Sequence, residues 1–163
     1  MNPFNNPFVS AGYQKAREGM SMIRPIQIAP GEILYRFYDS SRARSPAEAI
    51  EGPWWLEFEH FQTVKHFALR NGYTLGYAAR LFAAILYEWS EVNAIVRCKV
   101  IQPLHVWKGR GRQVTSSGAD PRDLPTMTPM QSTLEIYQLC IPGIGGKGSV
   151  ASQALEVLSA DAL

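Results

Sequence analysis

The sequence predicts an α+β fold, a compact single domain with its helices clustered after the first strand and a mostly antiparallel sheet. Three observations carry this expectation. Glu32 to Tyr38 is an unbroken run of β-favouring residues. Ser45 to Trp89 holds two helix-capping signals and apolar residues at helical spacing. After Ala94 the pattern returns to two-residue alternation and short apolar runs closed by proline. The order strand, helices, strands is that of an α+β domain, and 163 residues suffice for one self-sufficient core.

Residues 1–21 contain Asn, Pro and Gly without a sustained period, which predicts a flexible N-terminal arm. The repeated Asn2-Pro3-Phe4 and Asn6-Pro7-Phe8 suit turns in such an arm, or a short docking peptide. The domain proper is expected over residues 22–148. In the Glu32 to Tyr38 strand, alternation puts Leu34, Arg36 and Tyr38 on one face and Ile33, Tyr35 and Phe37 on the other. Both faces are apolar apart from Arg36, as in an interior strand. Ser45-Pro46-Ala47-Glu48 is a capping box with proline at the first helical position, and Gly52 closes that short helix. A second helix is expected from Glu57 to Arg70, stopped by Asn71-Gly72. Thr74 caps a third, Leu75 to Trp89, whose wide apolar stripe marks a core helix.

From Ala94 to Ile101, Val96, Cys98 and Val100 face one way and Arg97 and Lys99 the other, giving a half-exposed strand. Pro103 breaks it, and Leu104 to Trp107 resumes pairing. Lys108 to Met130, rich in Gly and Pro, reads as a long functional or mobile loop. Thr133 to Ile141 is the last strong strand, stopped by Pro142-Gly143. Residues 149–163 form a C-terminal tail with room for one short helix bearing Val150, Ala154 and Leu158 on a face.

Composition excludes several classes. With 46% hydrophobic and 18% charged residues, the chain matches an ordinary globular protein. A net charge of +2 does not demand a nucleic-acid partner. Cys98 and Cys140 both sit in apolar, strand-like runs, as buried free thiols do. No apolar run reaches the roughly 18 residues of a membrane span, and the start lacks a signal pattern. These features point to a cytoplasmic protein, or one secreted without a cleaved signal peptide.

No hydrolytic triad or nucleophile elbow is present, and His60, His66 and His105 lack metal-ligand spacing, so no metal site is expected. Gly143 to Ser149 departs from phosphate-loop spacing because Gly148 separates Lys147 from Ser149, and it reads as a linker. Lys108-Gly109-Arg110-Gly111-Arg112 is a basic run suited to a phosphate contact or a solvated turn. Arg36 is the sharpest candidate. A guanidinium amid apolar residues needs an anion, either a ligand phosphate or a structural partner such as Asp39 or Glu57. Trp54 and Trp55 after Gly52-Pro53 offer flat faces, one to stack on a ring and the other to anchor the core. On the last strand Glu135 and Gln138 fall on opposite faces, and a buried Gln138 needs polar partners or a cavity.

The combination Leu34-Tyr35-Arg36, Gly52-Pro53-Trp54-Trp55, Phe67-Ala68 and Ile136 to Pro142 resembles the ADP-ribosyltransferase fold and its RES-type toxin relatives, over about residues 31–143. The resemblance implies an NAD-consuming toxin or effector that acts on a macromolecular target through an oxocarbenium-like ribose. NAD would be its substrate, and an antitoxin or immunity protein its partner. Arg36 and Tyr35 would bind the dinucleotide with Trp54 and Trp55, and Gln138, or Glu135 as alternative, would address the ribose. Two positions depart from the family pattern: Leu56 stands at the Ser-Thr position and Gln138 at that of the catalytic glutamate. A non-enzymatic module, docking a partner through the arm and the 108–130 loop, is the rival expectation.

Overall fold

The computed structural model describes residue 5 and residues 10–130, 136–144 and 151–163. A seven-stranded sheet, ordered β1-β5-β8-β3-β2-β4-β9, forms its frame. The strands are β1 Met20–Ile28, β2 Ile33–Tyr38, β3 Trp54–Glu57, β4 Ala94–Val100, β5 Leu104–Gly111, β8 Tyr137–Cys140 and β9 Leu155–Ala162. Every pairing in it is antiparallel. The helices are α1 Ser10–Gly19, α2 Pro46–Ala49, α3 Phe58–Asn71, α4 Leu75–Ala83 and α5 Ala151–Ala154. A two-stranded ladder, β6 Val114–Thr115 with β7 Thr126–Met127, stands apart. None of the described helices is long and apolar enough to cross a membrane.

Alternation along β2 sorts the core as expected. Leu34 joins Trp55, Val96, Cys98, Leu139 and Ile141 in a cluster closed by Ala49 of α2 and Ala154 of α5. Tyr35 joins Leu56 on the other face, under Val64 and Ala68 of α3 and Ala79 and Phe82 of α4. Beside it, α1 covers Trp107 and Cys140 with Ala16. Each fully buried large side chain contributes about 1.5–3 kcal/mol relative to exposure. Both cysteines are buried free thiols, which burial pushes up to about 12.

Local signals explain most boundaries. Ser45 Oγ accepts from Glu48 N at 3.2 Å, while the Glu48 carboxylate reaches back to Arg44 N at 2.7 Å. Gly72, at φ 69°, ends α3 in the left-handed conformation, where it incurs no Cβ clash. Thr74 Oγ1 caps α4 by accepting from Tyr77 N at 3.1 Å.

Five expectations need correction. Residues 10–21 are not a loose arm: they form α1 and the start of β1, which pairs with β5. Pro25 masked this strand, yet proline is tolerated because β1 is a sheet edge. Asn5 is tied down as well, through His105 N and the carbonyls of His105 and Pro142. The Asn-Pro-Phe repeats otherwise lie outside the described residues.

Trp54–Glu57 is a strand, with α3 starting at Phe58 rather than Glu57. The third helix stops at Ala83, since Ala84 turns left-handed at φ 51°. Past that point Arg80 replaces helical bonding by donating to the carbonyls of Ile85 and Ser90. Lys108 to Gly111 continues β5, which leaves a shorter loop that itself carries β6 and β7. A Cβ on Gly109 would come within 2.7 Å of Ser21 O, so glycine there serves close strand approach.

The tail holds α5, but Leu155–Ala162 is β9, an edge strand paired with β4 along its length. Val150 lies outside the described residues. So do Gly145 to Ser149 of the glycine-rich linker, and Thr133 to Glu135 of the expected last strand.

Candidate functional site

The sheet is least paired about β3, which meets β2 and β8 over two residue pairs each. β2 and β3 pair at Leu34–Glu57 and Tyr35–Leu56 and then part, whereas β2 pairs with β4 from Ile33 to Tyr38. A cavity of about 700 Å³ occupies the opening, within the range typical of small-molecule and cofactor sites. Its walls come from β2, β3 and β8, from α1 and α4, and from the turns after them.

Arg36 enters this opening from β2. Its Nη1 donates to Ala49 O at 3.0 Å, and its Nε is buried without a hydrogen-bond partner. Gly52 lies directly against the guanidinium, where a Cβ would stand 1.7 Å from Nη2. Burial holds the Arg36 pKa well below its ordinary value, at about 10. Neither expected carboxylate partners it. Asp39 accepts from Ser41 Oγ at 2.6 Å and from Glu91 N at 3.0 Å, with Arg42 3.8 Å away. Glu57 pairs with Lys108 at 2.5 Å. Among the described residues no carboxylate forms an ion pair with Arg36, so pairing with Asp39 or Glu57 is set aside.

The two tryptophans leave β3 on opposite faces, as adjacent strand positions do, and both reach the cavity wall. Trp55 is buried, and its indole N–H donates to Gly52 O at 2.7 Å, fixing the glycine beneath Arg36. Trp54, half-buried, faces Gly19 of α1, where a Cβ would fall 2.4 Å from its ring. Tyr35 is committed to Phe61, with ring centroids 4.1 Å apart and planes 3° apart, and only borders the cavity. Gln138 stands on β8, buried, with its amide nitrogen beside Gly111. Arg36, Tyr35, Trp54, Trp55 and Gln138 thus line one cavity. Glu135 lies outside the described residues.

Sequence reasoning missed three wall elements. Arg112, whose Nε donates to Met20 O at 2.7 Å, stood in the basic run but gave no sign of its partner. Lys15 and Glu18 come from α1, hidden in the supposed arm. Trp89 looked like part of a core helix and is instead 47% exposed on the cavity wall. Cationic Lys15, Arg36, Arg42 and Arg112 share the wall with Glu18, Asp39, Glu48 and Glu51. That mixture suits a ligand with both anionic and hydroxyl groups.

A second polar cluster lies outside this cavity. Ligand-type atoms of Glu57, Glu59 and His60 fall within 4.8 Å of one another. The Lys108 ammonium stands 2.5 Å from Glu57 and 4.0 Å from Glu59, so a metal ion there would have to displace a resident cation. His60 Nδ1 accepts from Tyr137 N at 3.4 Å. Lys108, expected at a flexible lip, is therefore a buried pairing residue of the sheet.

No protein-family model and no curated protein matches the chain. Among solved structures, a chain of the complex of Tne2 with Tni2 aligns at a TM-score of 0.49 and 12% identity, covering 87% of this chain and 92% of that one. A chain of the complex of Rhs1-CT with its cognate immunity protein RhsI1 aligns at a TM-score of 0.55 and 12% identity, covering 98% of this chain and 96% of that one. With nearly all of both chains superposed, this protein shares its overall fold with that chain of the Rhs1-CT complex.

Proposed function

We propose that the chain is an NAD-consuming toxin or effector that breaks the nicotinamide–ribose bond and delivers ADP-ribose to a macromolecular acceptor or to water. The observation that carries this reading is Arg36: a half-buried arginine whose buried Nε is unpartnered, with no carboxylate pair among the described residues, facing a cavity of dinucleotide size. Burying a cation without an anion is costly, and a ligand phosphate removes that cost while gaining charge-assisted hydrogen bonds. The resemblance in Leu34-Tyr35-Arg36 and in Ile136 to Pro142 supports the same assignment. The shared fold with a chain of a complex that contains a cognate immunity protein supports the toxin reading, and with it an immunity partner.

In this mechanism Arg36 holds the pyrophosphate and Trp54 stacks on a ring. The C1′–N bond breaks with its electron pair passing to nicotinamide, which leaves neutral. The ribose then carries the positive charge. Gln138 turns its amide oxygen to that cation and orients the nucleophile, whose lone pair closes on C1′ as its proton passes to solvent. Glu135 is the alternative for this task, since a carboxylate attracts the cation more strongly than an amide.

The test is nicotinamide release from NAD, with and without cell lysate. Gln138→Ala should lower the rate at least a hundredfold, and Glu135→Ala far less. The reverse order moves the role to Glu135. No release by the wild type under either condition overturns the proposal. The rival docking module loses support because α1, β1 and Lys108 to Gly111 are built into the domain body.

A further inference from the structure

Trp89 is unusual in how it is held. It is 47% exposed, yet the turn that presents it is braced from several sides. Arg80, buried beneath, donates to the carbonyls of Ile85 and Ser90 at 2.9 Å each. Asp123 accepts from the backbone N–H groups of Tyr87 and Glu88 at 2.7 and 2.9 Å. Arg42 donates to Glu88 O at 2.8 Å. Trp89 N closes the turn on Leu86 O at 3.0 Å.

Neighbouring aromatics of the same region have partners. Tyr87 lies under both Arg80 and Arg122, at 3.6 and 4.3 Å from its ring centre. Among the described residues no ring or cation contact is found for the Trp89 indole. A large apolar face left in water at a cavity wall, on an immobilised backbone, is the arrangement that stacks a flat ligand at low entropic cost.

We propose that Trp89 is the platform for the adenine ring of the dinucleotide, with Arg42, which is bonded to the same turn, beside the adjacent phosphate. The assignment rests on the NAD reading above and adds to it the second end of the ligand. The nicotinamide end then lies towards Arg36, Trp54 and Gln138, and the adenine end towards the α4–β4 turn. Trp89 is accordingly a binding residue, removed from the bond that breaks.

The experiment measures equilibrium binding of AMP, ADP-ribose and nicotinamide mononucleotide by titration calorimetry, with nicotinamide release assayed in parallel. Trp89→Ala should weaken AMP and ADP-ribose about tenfold, as loss of base stacking does. It should leave nicotinamide mononucleotide unchanged and raise KM for NAD at constant kcat. Trp89→Phe should restore most of the affinity without altering the thermal midpoint. Wild-type affinity for AMP in Trp89→Ala overturns the assignment. So does equal weakening of all three ligands with a lowered midpoint, which marks a structural role. If the wild type binds AMP through Trp89 but releases no nicotinamide, the proposed reaction fails and the platform stands. If the wild type binds no adenine nucleotide, the platform fails.

Discussion

Replacing Arg36 with methionine separates a ligand-binding arginine from a structural one, because the two roles predict different free energies. The fall of the guanidinium pKa to about 10 corresponds to a burial cost of about 3 kcal/mol, which methionine relieves while keeping most of the stem packing. The substitution also removes the charged hydrogen bond to Ala49 O, which contributes about 1.5–3 kcal/mol. These nearly cancel. Arg36→Met should therefore stay within about 1.5 kcal/mol of the wild type in urea unfolding, with an unchanged denaturant slope. Removing one partner of a buried ion pair costs about 3–5 kcal/mol instead. Ligand response gives the second readout. NAD at a hundred times its Kd should stabilise the wild type by about 2.7 kcal/mol and the variant by far less. A variant destabilised by 3 kcal/mol or more, or one that NAD stabilises as fully as the wild type, refutes the reasoning.

Three further outcomes are expected. Gly52→Ala places a Cβ into the guanidinium, the movable end of a side chain, so the fold should survive at a cost of about 1–3 kcal/mol while NAD affinity falls at least tenfold in calorimetry. Burial raises the Asp39 carboxyl, but the hydrogen bonds from Ser41 and Glu91 N, with Arg42 nearby, outweigh it and hold it below its ordinary value. Its contribution is present above about pH 4 and is lost as pH falls through the folded value, so the stability gap between wild type and Asp39→Asn should shrink as urea midpoints are followed below pH 4. With both thiols pushed up to about 12, Cys98 and Cys140 should resist a disulfide reagent at pH 8 until urea unfolds the chain, and rapid native labelling of either contradicts the packing.

What the sequence disclosed followed from signals that act over a few residues. The capping box at Ser45, Gly72, and the alternation in β2 and β4 each depend on neighbours in the chain, and each appears where expected. Leu34-Tyr35-Arg36, the tryptophan pair and Gln138 could be chosen because a charge, an amide or a flat ring in apolar company calls for an explanation. Their convergence on one cavity depends on strand order, which local pattern does not encode. The same limit hid β1 and β9. Pro25 and the polar Ser159 and Asp161 weaken their intrinsic β signal, and pairing with β5 and β4 supplies what propensity lacks. Trp89 was misread because a helical stripe can continue in sequence past the point where Arg80 takes over the carbonyls that would prolong the helix.

The brief contact between β2 and β3 has a mechanical consequence. β3 is tied to β2 and to β8 by two residue pairs each, so it is a short splint between longer ladders, β2–β4 on one side and β5–β8 on the other. A molecule gripped by Arg36 on β2 and by Trp54 and Gln138 on β3 and β8 would act as a clasp across that splint, and the backbone amides of β3 should exchange more slowly when it binds.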